Sequence, residues 1–132
     1  MKKVVAILQA RMSSTRLPGK VLKLASGRTM LDRMIERVRR AETVHQVVVA
    51  TTTDPSDDSI VKACRKTGVT VFRGSPQDVL DRYYQAALSS QAEVIVRLTA
   101  DCPLIDPVLI DDVVHTLLSE SLDMACNRLP PP

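Results

Sequence analysis

The chain has 132 residues, a mass of 14.5 kDa and a formal net charge of +3, with 45% hydrophobic and 25% charged residues. That is enough for one hydrophobic core and too little for two, so residues 1–132 are read as a single domain, and the composition excludes a disordered or fibrous polypeptide. The longest unbroken apolar run, residues 4–8, stops at Gln9, far short of a membrane span or a signal-peptide core, which predicts a cytoplasmic chain with no membrane partner.

The predicted elements alternate along the chain. Residues 4–8 predict a first strand, and Leu31, Met34, Ile35 and Val38 recur at helical spacing after Thr29, with Asp32 three residues on as in a capping box. Residues 47–51 predict a second strand. Asp54-Pro55 then marks a helix entry, Ile60, Val61 and Cys64 its buried face, and Gly68 its end, after Arg65 and Lys66 at the negative pole of the helix dipole. A third strand over residues 69–72 precedes Ser75-Pro76, read as the entry of a helix that presents Leu80, Tyr83, Tyr84 and Ala87. Residues 94–98 predict a fourth strand, Asp106-Pro107 opens a helix carrying Ile110, Val113, Val114 and Leu117, and residues 123–126 predict a fifth strand. The strand runs are continuous rather than alternating, as for strands covered on both faces. This pattern predicts an α/β fold, a Rossmann-like three-layer open sheet, mainly parallel, with right-handed crossovers and ligands at the carboxyl ends of the strands.

Charge is distributed unevenly over this frame. Residues 1–31 hold seven cations (Lys2, Lys3, Arg11, Arg16, Lys20, Lys23 and Arg28) and no acid, so that stretch carries +7 and the remainder −4. Three aromatic residues and no Trp leave little on which bases can stack, which argues against nucleic acid and for a smaller polyanion. Cys64, Cys102 and Cys126 are odd in number and form no CxxC pair, so reduced thiols are expected rather than a disulfide framework or a zinc site.

Two loops lie where the fold puts ligands. Residues 9–20 follow the first strand with three cations, three hydroxyls, a glycine and no acid. Backbone N–H groups, paired guanidinium donors and a compact ammonium together suit a triphosphate. The loop is neither a Walker A loop nor a GxGxxG motif, and an ordinary polar connection with solvated charges has the same composition. After the fourth strand, Asp101 is placed to hold Mg²⁺ against phosphate oxygens, although Asp-x-Pro is also plain turn chemistry. Asp106 is assigned to capping.

The string Ala6-Ile7-Leu8-Gln9-Ala10-Arg11-Met12-Ser13-Ser14-Thr15-Arg16-Leu17-Pro18-Gly19-Lys20-Val21-Leu22 closely resembles the nucleotide-binding signature of the cytidylyltransferases that activate acidic sugars. These are the acylneuraminate and 3-deoxy-manno-octulosonate types, with the spore-coat polysaccharide branch nearest. Val48-Val49-Ala50-Thr51-Thr52, Phe72-Arg73-Gly74-Ser75 with Asp78-Val79-Leu80 and Arg82-Tyr83, and Arg97-Leu98-Thr99-Ala100-Asp101-Cys102-Pro103-Leu104-Ile105 resemble that branch in the same order.

The resemblance implies a fold of the nucleotide-diphospho-sugar transferase type and transfer of CMP from CTP to an acidic sugar acceptor, for surface polysaccharide synthesis, with release of pyrophosphate. It implies phosphate contacts from Arg11 and Lys20, support of that loop by Arg16, further nucleotide contacts from Gln9, Ala10 and Ser14, Mg²⁺ on Asp101, and Ala50, Thr51, Arg73, Gly74 and Asp78 around the cytidine. Such enzymes usually continue with a second metal carboxylate, acceptor contacts and much of a dimer interface. A finish on Asn127-Arg128-Leu129-Pro130-Pro131-Pro132 therefore reads as that of a fragment truncated at its C-terminus. An uncovered sheet edge would favour self-association, a homodimer included.

His45, His115, Cys102, Tyr83 and Tyr84 are assigned to structure rather than to chemistry. Two other functions stay open on the residues alone: a non-catalytic nucleotide-binding or interaction module, and a glycosyltransferase using a nucleotide-sugar donor.

Overall fold

The computed structural model describes residues 1–128. In chain order the elements are β1 (Val4–Gln9), β2 (Leu24–Ala25), β3 (Arg28–Thr29), α1 (Met30–Arg39), β4 (Gln46–Thr52), α2 (Asp58–Thr67), β5 (Thr70–Gly74), α3 (Val79–Ser89), β6 (Val94–Thr99) and α4 (Pro107–Ser119). One sheet has the order β5-β4-β1-β6 with every pairing parallel, and β2 with β3 form a separate hairpin.

Burial explains this order. β1 is apolar on both faces and takes a central place, with Val5, Ala6, Ile7 and Leu8 fully buried. Val4, Ala6 and Leu8 pack toward α1, α2 and α4, while Val5 and Ile7 pack toward Tyr83, Ala86 and Ala87 of α3. Each large side chain withdrawn from water in this way contributes about 1.5–3 kcal/mol. The steps β1 to β4 and β4 to β5 run in one direction across the sheet, and the step from β5 to β6 runs back past both central strands. Right-handed crossovers then require α1 and α2 on one face and α3 on the other, which is the arrangement found.

The local signals are realised in detail. Thr29 accepts the Asp32 N–H at 3.0 Å, Asp54 accepts that of Ser56 at 2.9 Å and Asp106 that of Val108 at 2.9 Å. Gly68 ends α2, its own N–H on the Arg65 carbonyl and the Val69 N–H on the Cys64 carbonyl, the paired bonds of a Schellman motif.

Four expectations are corrected, and a fifth point adds an element that the sequence pattern does not show. Residues 123–126 form no strand, and Leu122 and Met124 are 41% and 79% exposed. A ladder needs a neighbour, and the outer edge of β6 has none among the described residues. The proline run at 130–132 lies outside the described residues. Second, β5 and β6 are edge strands and are not covered on both faces; along β6 exposed residues alternate with buried Val94 and half-buried Val96 and Leu98. Third, α3 starts later than Ser75-Pro76: Ser75 Oγ accepts the N–H groups of Gln77 and Asp78 across a turn that does not continue as helix, and the Asp78 carboxylate caps α3 through the Asp81 N–H. Fourth, Tyr83 and Ala87 are buried on α3, but Leu80 and Tyr84 are exposed, and Arg82 and Ala86 share the inner face instead. Fifth, the hairpin was not predicted. Ser26 and Gly27, both at positive φ, form its two-residue turn.

Candidate nucleotide site

Three carboxyl ends meet at one level. Gln9 at the end of β1 is in register with Ala50 of β4 on one side and Thr99 of β6 on the other. The chain leaving β1 is held to both neighbours, since the Ala10 N–H donates to the Ala50 carbonyl at 3.0 Å and the Ala100 N–H to the Gln9 carbonyl at 2.9 Å.

From here the basic loop departs and closes on itself. The Gly19 N–H donates to the Met12 carbonyl at 2.8 Å, and Ser14 Oγ accepts the Leu17 N–H at 3.3 Å. Gly19 has φ 70°, and a Cβ there would lie 3.3 Å from the Met12 side chain, so the closure needs a residue free of the left-handed penalty. A short 3-10 turn at Lys20–Leu22, anchored by buried Val21, turns Lys20 back over the sheet edge. Arg11 and Arg16 are exposed and form no ion pair among the described residues.

Lys20 Nζ sits 2.9 Å from Asp101 Oδ2, with both side chains 38% exposed. The Thr99 hydroxyl donates to Asp101 Oδ1 at 2.8 Å. The bond from Lys20, then that from Thr99, hold the Asp101 carboxyl below the usual aspartate range, so it is an anion at neutral pH. The loops after β1 and β6, 81 residues apart in sequence, thus converge on one spot at the carboxyl edge.

The remaining predicted residues lie toward β5. Ala50 and Thr51 are buried, and Thr51 Oγ1 has no hydrogen-bond partner among the described residues. Arg73 is heavily engaged: Nε donates to the Thr52 carbonyl at 2.8 Å, Nη2 to the Asp54 carbonyl at 2.9 Å, and Nη1 pairs with Asp58 at 2.8 Å. Its guanidinium thereby staples the loop after β4. At Gly74 a Cβ would lie 3.0 Å from Phe72 and 3.1 Å from the stem of Arg82, so a side chain there would require both neighbours to give by a few tenths of an ångström. Asp78 is committed to capping α3. β5 and β6 are three strand spacings apart, roughly 14 Å, so the predicted residues line a stretch of sheet edge rather than a point.

Sequence reasoning missed two buried charged residues beneath this edge. Asp57 is 2% exposed and Arg82 1% exposed. Arg82 Nη1 donates to the Ser75 carbonyl at 2.7 Å, and burial lowers the pKa of its guanidinium. Asp57 sits in a string that reads as helix-cap chemistry, and Arg82 lies within a helical period, so neither carries a local flag. His45 is structural as read, with Nδ1 accepting the Val4 N–H at 2.9 Å. Two surface clefts of about 230 and 310 Å³, one beside α1 and one at the amino ends of β4 and β5, contain none of the predicted residues.

No three His, Cys, Asp or Glu side chains cluster as a metal cage among the described residues. Asp101 supplies one carboxylate. That fits a cation such as Mg²⁺, which takes one or two carboxylates and completes its shell from water and substrate phosphates. No helix among the described residues is long and apolar enough to cross a membrane.

Comparison with known proteins follows the same lines. The family model described as cytidylyltransferase matches residues 5–128. The chain is 39% identical to the spore coat polysaccharide biosynthesis protein SpsF of Bacillus subtilis, over 93% of its own length and 53% of the relative. A solved cytidylyltransferase from Leptospira borgpetersenii superposes with a TM-score of 0.85 at 44% identity, covering 90% of this chain and 50% of that one. A CMP:2-keto-3-deoxy-manno-octonic acid synthetase complexed with CTP superposes with a TM-score of 0.81 at 26% identity, covering 90% and 48%. The chain spans about half the length of these relatives. With the family model matching from the first strand to the last described residue, the chain belongs to the cytidylyltransferase family.

Proposed function

We propose that this chain is a nucleotide-binding α/β unit that binds CTP at the carboxyl edge of its sheet, within a cytidylyltransferase that transfers CMP to an acidic sugar and releases pyrophosphate. The observation that carries the reading is the contact of 2.9 Å between Lys20 and Asp101, which joins a cation for phosphate to a carboxylate for metal. Support comes from the relative complexed with CTP and from the relative named for spore coat polysaccharide biosynthesis.

In this reading the triphosphate lies over the loop after β1, where Arg11 and Lys20 offset its charge and loop N–H groups cradle it. Arg16, Gln9, Ala10 and Ser14 shape that loop. The base extends along the edge toward Ala50, Thr51, Arg73, Gly74 and Asp78. Asp101 would hold Mg²⁺, which when bound offsets negative charge on the phosphate oxygens. A sugar hydroxyl attacks the α-phosphorus in line, its proton passing to solvent, and the bond to the pyrophosphate oxygen breaks. The protein's contribution is then alignment and fixed positive charge where negative charge moves onto the leaving group.

Calorimetric titration with CTP, ATP, GTP and UTP, with and without Mg²⁺, tests this. Preferential binding of CTP, tightened by the metal, is expected. Equal affinities for all four would remove the cytidine assignment, and no binding would remove the nucleotide site. A second reading is nucleotide binding without turnover. It requires CTP binding with no pyrophosphate release whatever acidic sugar is added.

A further inference from the structure

Asp57 lies directly under the basic loop and is almost wholly withdrawn from solvent, at 2% exposure. Its Oδ1 accepts the backbone N–H of Met12 at 2.7 Å, 45 residues away in sequence. Its Oδ2 accepts the hydroxyl of Thr52, which is itself buried and in turn accepts the Asp54 N–H at 3.1 Å. A buried carboxylate is costly unless its oxygens are matched by donors, and here one oxygen serves the loop after β1 and the other the end of β4. Arg73 braces the same turn from the far side through the Thr52 and Asp54 carbonyls.

Met12 immediately follows Arg11 and its carbonyl closes the loop on Gly19. Whatever holds the Met12 amide therefore sets where Arg11 leaves the sheet and how the ring of residues 12–19 sits. We propose that Asp57 is a positioning residue that holds the basic loop in its anion-binding shape before any ligand arrives, so that the entropy of ordering the loop is not charged to phosphate binding. The proposal rests on reading that loop as the triphosphate site. Asp57 touches no substrate in it and acts through Met12.

The test compares wild type with Asp57→Ala, Asp57→Asn and Thr52→Val. Hydrogen exchange at the Met12 amide is measured on the same samples as binding of CTP, inorganic tripolyphosphate and cytidine. Asp57→Ala is expected to speed Met12 exchange and to weaken CTP and tripolyphosphate binding by about tenfold to a hundredfold, while cytidine, which lacks phosphates, binds as before. Asp57→Asn keeps an amide oxygen for Met12 and is expected to retain most of the protection and affinity. Thr52→Val removes the hydroxyl that seats the carboxylate while keeping its shape, and is expected to fall in between, which decides the matter should Asp57→Ala fail to fold. Unchanged Met12 protection in the variants, or an equal loss for cytidine and CTP, overturns the proposal. Should wild type bind tripolyphosphate and not CTP, the nucleotide reading falls, while Met12 exchange and tripolyphosphate affinity still judge Asp57.

Discussion

Lys20 and Asp101 each keep more than a third of their side chain in solvent, so their ion pair adds little to stability, about 1 kcal/mol at most. A phosphate can compete for such a lysine without unfolding anything. Lys20→Ala is therefore expected to weaken CTP binding by about tenfold to a hundredfold with little change in melting temperature; calorimetry and a thermal scan on the same sample separate the two effects. The cysteines divide on similar grounds. Cys64 is buried in the core, and burial, with a smaller contribution from Asp32, pushes its thiol up to about 11, whereas Cys102 and Cys126 are exposed. A thiolate is the reactive form. Titration of the native chain with a thiol reagent at neutral pH is expected to label Cys102 and Cys126 and to reach Cys64 only after denaturation. Early labelling of Cys64 would place α2 elsewhere.

At the scale of elements, helix starts follow from capping acceptors close in sequence, and the exception is instructive. Ser75-Pro76 has the composition of a helix entry and Ser75 Oγ makes the bonds of a cap to the Gln77 and Asp78 amides, yet the helix starts only after Asp78, whose carboxylate accepts the Asp81 N–H. One long-range tether joins α4 to the turn after α1: Asp111 of α4 accepts the N–H groups of Glu42 and Thr43 at 2.9 Å each, and the Thr43 hydroxyl at 2.5 Å. Partial burial raises the carboxyl's pKa, but the Thr43 and Glu42 bonds outweigh it and the net direction is down. A carboxyl whose folded pKa is depressed contributes stability above the ordinary aspartate value of about 3.9 and loses it as pH falls below. Asp111→Ala is expected to destabilise the chain by about 1–3 kcal/mol near neutral pH, and the gap from wild type in melting temperature to narrow as pH falls through and below about 3.9. A gap independent of pH would show that the contacts matter only through packing.

For the whole molecule, the reversal of strand order puts β6 at an edge with no partner among the described residues. Its Ile95 is 47% exposed, and Leu80, Tyr84 and Leu88 of α3 are exposed as well. An open strand edge promotes association, and exposed apolar side chains add to it. Sedimentation of this chain is expected to show concentration-dependent self-association that Ile95→Lys reduces, since a lysine on an edge strand discourages pairing. A monomer at every concentration would remove the expectation.

The strand and helix alternation, the caps at Thr29, Asp54 and Asp106, the close of α2 at Gly68 and the basic character of the loop after β1 were all legible in the amino-acid sequence. Each depends on residues within one turn or one strand of each other, the range over which periodicity and capping act. Which strands are central, which face of α3 turns inward and where residues 123–126 lie were decided by pairing across the sheet, which no local window contains. The same holds for the site. The sequence marks Lys20 and Asp101 as separate candidates, but only parallel pairing of β1 with β6 brings them to 2.9 Å. Only the packing of the turn after β4 beneath β1 delivers the Asp57 carboxylate to the Met12 amide, because a buried polar group finds its partner through the fold and not through its neighbours in the chain.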